Sequence, residues 1–564
     1  MRKKVLIIGG VAGGASTAAR IRRLDEQAEI VMFEKGPHVS FSNCSLPYYL
    51  SGIVETSDEL VLLSPEMFKK RYNIEARVNH EVIKINRNEK SVTVKNLLDD
   101  ETYEEEYDKL VISTGAEPIR PNIEGVDQDH VFTIRNVGDI ENLHTYLRQQ
   151  AVEHVAVVGG GFIGVEVAEN LQLAGYDVSL VEFAKQIMMP FDFDMAQILH
   201  KEMLNHGVNL IVDDGLAKIR EDAIETNSGR KITAEAVVLA IGVRPETTLA
   251  EEAGLDIGET GGIRVDANYR TSDPDIYAVG DAIEVYHRLT HKPTRPALAG
   301  PAQKQARAAA DHMYGIPNRN RGVIGSSSIK LFDLYAASTG LNARTAEQAG
   351  INYDSVYVMP SDKVGLMPDS HPLHFKLVYE VPTGKILGAQ AIGKGNVDKR
   401  VDVIAAMISM DATLEDLKDL ELSYSPMLGT AKDVVNQAAL VALNQLHGRY
   451  KEVKVSEVRA LVEQNAFIID AREKKEYGAG HLKNAVNIPL SEFRERLDEI
   501  PKDKPVYIHC RSGQRSYNMV MALENLGYRN VYNISGSYLG ICLYEYFQDV
   551  TTGREKIVTE YNFN

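Results

Sequence analysis

At 564 residues, with 44% hydrophobic and 25% charged positions, the chain is long enough for three or four packed domains. A formal net charge of −17 excludes a general nucleic-acid-binding role, which needs a basic face. Three widely spaced cysteines exclude a disulfide framework and a CxxC metal knuckle, so no metal site is expected. No apolar run reaches the roughly 18 residues that a membrane span needs. The opening MRKKVLIIGG has too short an apolar stretch for a signal peptide, and the chain reads as cytoplasmic with its thiols kept reduced.

The first element is a strand, glycine turn, helix and strand. KVLIIGG reads as a short buried strand, GGVAGGASTAARIRRL opens a helix through glycines, and EIVMFEK is a second strand ending at Glu34. This is the βαβ unit that takes a dinucleotide. Gly9, Gly10, Gly13 and Gly14, with Val11 and Ala12 among them, let the backbone approach a pyrophosphate at the helix N-terminus. Glu34, followed by Lys35, falls about 20 residues on, where an acid grips a ribose hydroxyl. Val11 stands at the middle position of GxGxxG, and the turn alone also fits a purely structural role. Cys44 comes next, in SNCSLPYYLSG, just ahead of a helix whose first turn Pro47 suits. A helix N-terminus favours a nucleophilic thiolate, although position alone leaves open the commoner fate of a buried structural cysteine.

A second glycine unit, HVAVVGGGFIGVEVAENL, carries an intact GxGxxG at Gly159, Gly161 and Gly164, with Phe162 and Ile163 inside it. YDVSLVEFA then ends a strand at Glu182, again about 20 residues on. Two such units, each with its acid, imply two dinucleotides. Glu182 favours NADH, because a carboxylate repels a 2′-phosphate, while Lys185 keeps NADPH open.

Three shorter signatures follow: VISTGAEPIRP with Thr114 and Gly115, LAIGVRPET with Gly242, and YRTSDPDIYAVGDA with Gly280 and Asp281. Together with the two glycine units they resemble the flavin-dependent pyridine nucleotide–disulfide oxidoreductases over roughly residues 1–446. That resemblance implies FAD on the first glycine unit, the nicotinamide cofactor on the second, and Asp281 at the ribityl chain or phosphate of FAD. Many members carry CxxxxC, but here Cys44 is followed by SLPYYLSG with no second cysteine. A lone thiol must oxidise to a sulfenic acid or to a mixed disulfide with a small thiol. SFSNCSLPYY resembles the branch that holds coenzyme A disulfide reductases, NADH peroxidases and NADH oxidases.

From charge alone, Arg20, Arg22 and Arg23 on the first helix and Lys69, Lys70 and Arg71 in MFKKRYN read as a solvated face. By resemblance to the coenzyme A disulfide reductases, Ser40, Asn43, Arg23 and Lys432 match substrate-contact positions, with Ser16 and Arg20 matching loosely. Cations such as Arg71 near Cys44 would suit the phosphates of coenzyme A. From SSSIKLFDLYAASTG the chain passes through the hairpin HFKLVYEVPTGKILGAQAIG to two amphipathic helices. In the family this is the dimerisation domain, which implies a homodimer. Tyr424 in LSYSPMLG matches a tyrosine near the thiol across the dimer, though as an isolated tyrosine it reads as packing. Met367 stands where members often carry a tyrosine.

HGRYKEV, 447–453, reads as a linker. Beyond it AFIIDAREKKEYGAGHLKNAVNIPL and PVYIHCRSGQRSYNMVMALENLGY give strand–loop and strand–loop–helix, with Cys510 at a strand end before a loop of backbone N–H groups and Arg511 and Arg515. A thiolate there can carry a terminal sulfur as a persulfide. The stretch resembles the rhodanese family, with Asp470, Arg472, Glu476 and His481 in its signature. Cys542, in SYLGICLYEYF, reads as a packed small residue.

The expected architecture is α/β. It has a FAD-binding domain in two parts (1–115 and 245–324), an NAD(P)H-binding domain (116–244) and an α+β dimerisation domain (325–446). A C-terminal α/β rhodanese domain (454–564) completes it. The expected function is NAD(P)H-driven reduction of coenzyme A disulfide or persulfide through Cys44, coupled to transfer of sulfane sulfur from a donor by Cys510. The alternative is an NADH peroxidase or oxidase using a Cys44 sulfenic acid. No nucleic acid or membrane partner is expected.

Overall fold

A computed structural model describes residues 3–563 as two compact units. The first comprises the chain up to Lys185 together with Ile211–Val323; the second comprises Gln186–Leu210 and everything from Ile324.

In the first unit, strand Lys4–Ile8 sits at the centre of a parallel sheet between Glu29–Glu34 and Lys109–Ile112, with Glu75–Val78 and Ile276–Ala278 at the edges. Its residues form an almost unbroken apolar run because the sheet is buried in a core shared with helix Ala12–Leu24 and with strands His80–Asn86 and Ser91–Asn96. Strand His154–Val158 occupies the same place in a second parallel sheet, between Asp177–Val181 and Ala236–Leu239. The glycines let each following helix close on its strand. A Cβ on Gly14 would lie 1.8 Å from the Gly9 carbonyl oxygen, and one on Gly164 would lie 1.8 Å from that of Gly159. The chain thus builds the same contact twice.

The second unit holds two sheets. One is antiparallel, ordered Ser327–Leu331, Leu334–Gly340, Ile386–Gly393, His374–Glu380, Tyr353–Val358, and contains the expected hairpin. The other is parallel, ordered Glu452–Val453, Val531–Ile534, Val506–His509, Phe467–Asp470, Ala485–Asn487. Glu452–Val453 lie in the stretch read as a linker. They join the sheet because Tyr450 beside them is buried and because Asn533 and Ser535 donate their N–H groups to Lys451 and Val453 at 2.9 Å.

Helix Phe193–Asn205 also differs from expectation. It lies within the stretch read as the NAD(P)H-binding domain but packs in the second unit, against helix Ser537–Thr552. Phe193 meets Tyr544 with ring centroids 5.6 Å apart, and His200 meets Phe547 edge-on at 4.5 Å. At the helix start, Lys376 of the antiparallel sheet binds Asp192 at 3.0 Å and Asp194 at 2.8 Å. No helix among the described residues is long and apolar enough to cross a membrane.

Candidate active sites

The strand ends of the first unit converge on a cavity of about 600 Å³. Gly9, Val11, Ala12 and Gly13 line it, with Glu34, Lys35, Thr114, Gly115, Gly280 and Asp281. Glu34 is fixed from both sides: Gly10 N–H and Gly36 N–H each donate to its carboxylate at 2.9 Å. Glu182 repeats that arrangement, accepting from Gly160 N–H at 2.5 Å and Ala184 N–H at 2.7 Å. In both glycine turns, therefore, the acid closes the turn through backbone N–H groups. Gly161 has open space where a Cβ would project, whereas its neighbours Gly159 and Gly164 are pressed against backbone. That is what a turn approached closely by a pyrophosphate requires. Val11 lines the cavity in the equivalent place. Gly242 holds φ +110 and accepts from Ile119 N–H at 3.0 Å. Phe162 and Ile163 open the helix Phe162–Leu173.

Behind helix Ala12–Leu24 lies a second cleft of about 380 Å³, lined by Ser16, Arg20, Arg23 and Ser40, together with Gln303 and Arg307 of helix Ala299–Met313. Asp311 orients its cations, taking Arg20 Nε at 2.6 Å and Arg307 Nε at 3.7 Å. Gln303 and Arg307 were not anticipated. The readable signal was the i, i+4 spacing of Gln303, Arg307 and Asp311, which places them on one helix face. Phe68 and Tyr72 also line this cleft; Arg71, exposed between them in sequence, is not brought to it. Arg22 is no surface cation either: it is buried and donates to the carbonyls of Tyr72, Asp25, Glu26, Ala28 and Asn73.

The segment from Ser40 to Cys44 joins the two spaces. Ser40 lines the cationic cleft and Asn43 lines the dinucleotide cavity. Ser40 holds φ +51, fixed by its N–H on the Gly10 carbonyl and by Leu62 N–H on its own carbonyl, both at 2.8 Å. A serine held in that region costs about 1–3 kcal/mol, which the surrounding turn must supply. Cys44 follows in the single turn Asn43–Ser45 and is exposed. Partial burial and the carboxyls of Glu166 and Asp281 push its thiol above the ordinary range. This corrects the expectation of a thiol acidified by a helix: the helix that follows, Leu46–Leu50, has five residues and little dipole to offer. Glu166 itself was not anticipated. Burial and the neighbouring Glu169 push its carboxyl up to about 7, and Tyr48 donates to it at 3.5 Å. Burial also pushes Asp281 up.

In the second unit Tyr424 is exposed on the loop before helix Val434–Leu446, and Lys432 is exposed just ahead of the same helix. Met367 is half-buried in a loop whose apolar neighbour Leu366 is 89% exposed. Cys510 follows strand Val506–His509, buried, at the start of the loop to helix Gln514–Asn525. Its Sγ accepts from Gly513 N–H at 3.2 Å and from Ser516 Oγ at 3.7 Å. Tyr538 N–H and Leu539 N–H, at the start of helix Ser537–Thr552, donate to the carbonyls of Cys510 and Arg511. Arg472 clasps Asp470 below the loop, and Arg515 is paired to Glu476 above it. His481 stacks on Tyr477 at 3.8 Å. Cys542 is buried, and burial pushes its thiol up to about 11.

Residues 3–306 match the pyridine nucleotide-disulphide oxidoreductase family, 326–434 its dimerisation domain, and 454–543 the rhodanese-like domain. The chain is 33% identical to coenzyme A disulfide reductase of Staphylococcus epidermidis over 434 residues, covering 77% of this chain and 98% of the relative. Among solved structures, reduced CoADR-RHD of Bacillus anthracis is 43% identical with a TM-score of 0.93, covering 98% of this chain and 99% of that one. A NAD-dependent persulfide reductase from A. fulgidus is 34% identical with a TM-score of 0.91, covering 95% and 99%. The paired glycine units and their acids, the antiparallel domain and the Cys510 loop thus point the same way: the chain belongs to the pyridine nucleotide-disulphide oxidoreductase family, whose FAD and nicotinamide cofactors its first unit fits, and it carries a rhodanese-like domain at its C-terminal end.

Proposed function

We propose that this chain reduces coenzyme A disulfide and coenzyme A persulfide with electrons from NADH, through Cys44 alone, and that its rhodanese half supplies or removes sulfane sulfur at Cys510. One observation supports the reading: Ser40 lines a cleft with Arg20, Arg23 and Arg307, and Asn43, the residue before Cys44, lines the dinucleotide cavity. A thiol so placed can bond to a small thiol whose phosphates rest on the guanidinium groups. The names of the relatives agree with that ligand. A peroxidase reading is not favoured, because peroxide has no use for a cationic cleft.

In this reading Gly9 to Gly14, Glu34 and Asp281 hold FAD, and Gly159 to Gly164 with Glu182 hold NADH. Glu182, fixed by two backbone N–H groups, faces ribose hydroxyls and repels a 2′-phosphate. Bound there, the cofactors supply the electron pair that returns the Cys44 mixed disulfide to thiolate. The Cys44 thiolate attacks one sulfur of coenzyme A disulfide, the S–S bond breaks, and coenzyme A leaves as thiolate. With the persulfide, attack on the inner sulfur releases sulfide. Tyr424 protonates the leaving sulfur across a homodimer, to which the exposed Leu366, Met427 and Leu428 contribute apolar surface. Buried Arg400 ties the two loops concerned, donating to the carbonyls of Asp362 and Leu428 at 3.3 and 3.5 Å.

The test is the mass of the protein as isolated. A coenzyme A adduct on Cys44, removed by reductant, is expected. Cys44→Ser should still let NADH bleach the flavin while losing coenzyme A disulfide turnover. Rapid peroxide turnover without any adduct would overturn the proposal.

A further inference from the structure

Helix Ser537–Thr552 starts from a strained turn, with Gly536 at φ +75° and Ser537 at φ +47°. Glycine takes that region freely, whereas a serine keeps it only where its surroundings insist. Ser537 is fully buried, and its Oγ accepts the Cys510 N–H at 3.2 Å. Tyr538 N–H and Leu539 N–H donate to the carbonyls of Cys510 and Arg511 at 2.9 and 3.1 Å. The backbone at the root of the Cys510 loop is thus tied to three successive residues of one turn.

Behind that turn stands a residue of the antiparallel domain. Tyr357 lies on the edge strand Tyr353–Val358. A Cβ on Gly536 would lie 3.2 Å from Tyr357 Cε1, and one on Gly540 would lie 3.5 Å from the same atom. The two glycines therefore leave room for the ring, and the ring in turn backs the helix start. Tyr357 Oη is hydrogen-bonded to His374 Nδ1 at 2.7 Å, which stops the ring from swinging away. Burial pushes the His374 imidazole down to about 4, so that bond keeps one form near neutral pH. On the same strand, Lys454 of the rhodanese-like domain donates to Asp354 Oδ1 at 3.1 Å and to the Ser355 carbonyl at 2.6 Å. The edge strand thus meets the C-terminal domain at two places, and one of them bears on the turn that holds Cys510.

Resting on the reading that Cys510 carries sulfane sulfur, we propose that Tyr357 is a positioning residue for sulfur loading: its ring backs the turn Gly536–Ser537, Ser537 holds the Cys510 N–H, and the antiparallel domain thereby sets the loop of the rhodanese-like domain. In loading, the Cys510 thiolate attacks the outer sulfur of a donor R–S–SH. The S–S bond of the donor breaks, RS⁻ leaves with the bonding pair, and Cys510–S–SH forms with no net oxidation. A nucleophile displaced by about 1 Å can lose on the order of 100-fold in rate, so what fixes the Cys510 backbone governs this step.

The experiment loads the full-length holoenzyme with glutathione persulfide in a single turnover. It follows the Cys510 peptide for a mass gain of one sulfur atom and reads rate and final extent separately. A misfolded fraction lowers the extent, whereas a displaced loop lowers the rate at full extent. Tyr357→Leu should load at least about tenfold more slowly to the same extent, and Tyr357→Phe, which keeps the ring, should stay within about twofold of wild type. Ser537→Ala should be slowed likewise, and adding Tyr357→Leu to it should cost no more than about twofold beyond, because one route carries both effects. A wild-type rate in Tyr357→Leu or in Ser537→Ala would overturn the positioning role. So would a loss of extent without a loss of rate, a Tyr357→Phe protein as slow as Tyr357→Leu, or full multiplication of the two effects. Wild-type protein that does not load at all would overturn the carrier reading instead.

Discussion

Cys44 works among carboxyl groups, and that sets how it responds to pH. Glu166 titrates near 7 because burial, then Glu169, disfavours its charge. As pH rises through that value it ionises, and its negative charge opposes formation of the Cys44 thiolate. Glu166→Gln should therefore lower the pH at which Cys44 becomes reactive and raise its alkylation rate several-fold in mildly alkaline buffer, read as iodoacetamide trapping against pH. The linkage to stability has the opposite appearance. A carboxyl raised from 4.5 to about 7 contributes fully at pH values below about 4.5, and that contribution is lost as pH rises toward 7. The same variant should flatten the fall in stability over that window in denaturant titrations. Nothing in the sequence singles out Glu166, because its role depends on which turn of helix Phe162–Leu173 faces Tyr48. Cys44 itself was legible, since it is a lone thiol set between a glycine unit and a helix opened by proline.

Among the elements, the glycine units were the most readable part of the chain, because backbone contact leaves only one residue type acceptable. The structure divides their glycines by task. Gly164→Ala would put a methyl group 1.8 Å from a backbone oxygen, so helix and strand must part, at about 1–3 kcal/mol. Gly161→Ala meets nothing within 4 Å and keeps an ordinary φ of −79°. On the proposed assignment of this turn to the nicotinamide cofactor, it should leave the melting temperature unchanged while raising that cofactor's KM, because its methyl group would project where the pyrophosphate approaches. Melting curves and NADH-dependent flavin reduction on the two variants separate these effects. The cationic cleft was legible only in part. Ser16, Arg20 and Arg23 lie on the helix that announces itself through its glycines, whereas Gln303 and Arg307 come from a helix almost 300 residues later in the chain. Only the packing of helix Ala299–Met313 against helix Ala12–Leu24 brings the two sets together.

For the whole molecule, the order of modules could be read from motifs, but the attachment of helix Phe193–Asn205 could not. Its apolar face looks the same whichever neighbour covers it. The decisive contacts are Lys376 with Asp192 and Asp194, two carboxylates held around a lysine with 10% of its side chain exposed. Lys376→Met should destabilise the protein by about 3–5 kcal/mol in guanidinium titrations, because two acids are left without their cation. Asp194→Asn should cost less, since Asp192 still pairs with the lysine.

Helix Ser537–Thr552 has a consequence for the history of such proteins. Its first turn ties down the carbonyls of Cys510 and Arg511, while its flank shelters Phe193 and His200. A lineage could not shed the C-terminal module by simple truncation, because an aromatic ring and an imidazole held neutral by burial would be stripped bare. The Staphylococcus epidermidis relative, matched along 98% of its length by 434 aligned residues, has no room for that module. Its counterparts of Phe193 and His200 should be hydrophilic, a scar or an original condition that a pairwise alignment can read directly.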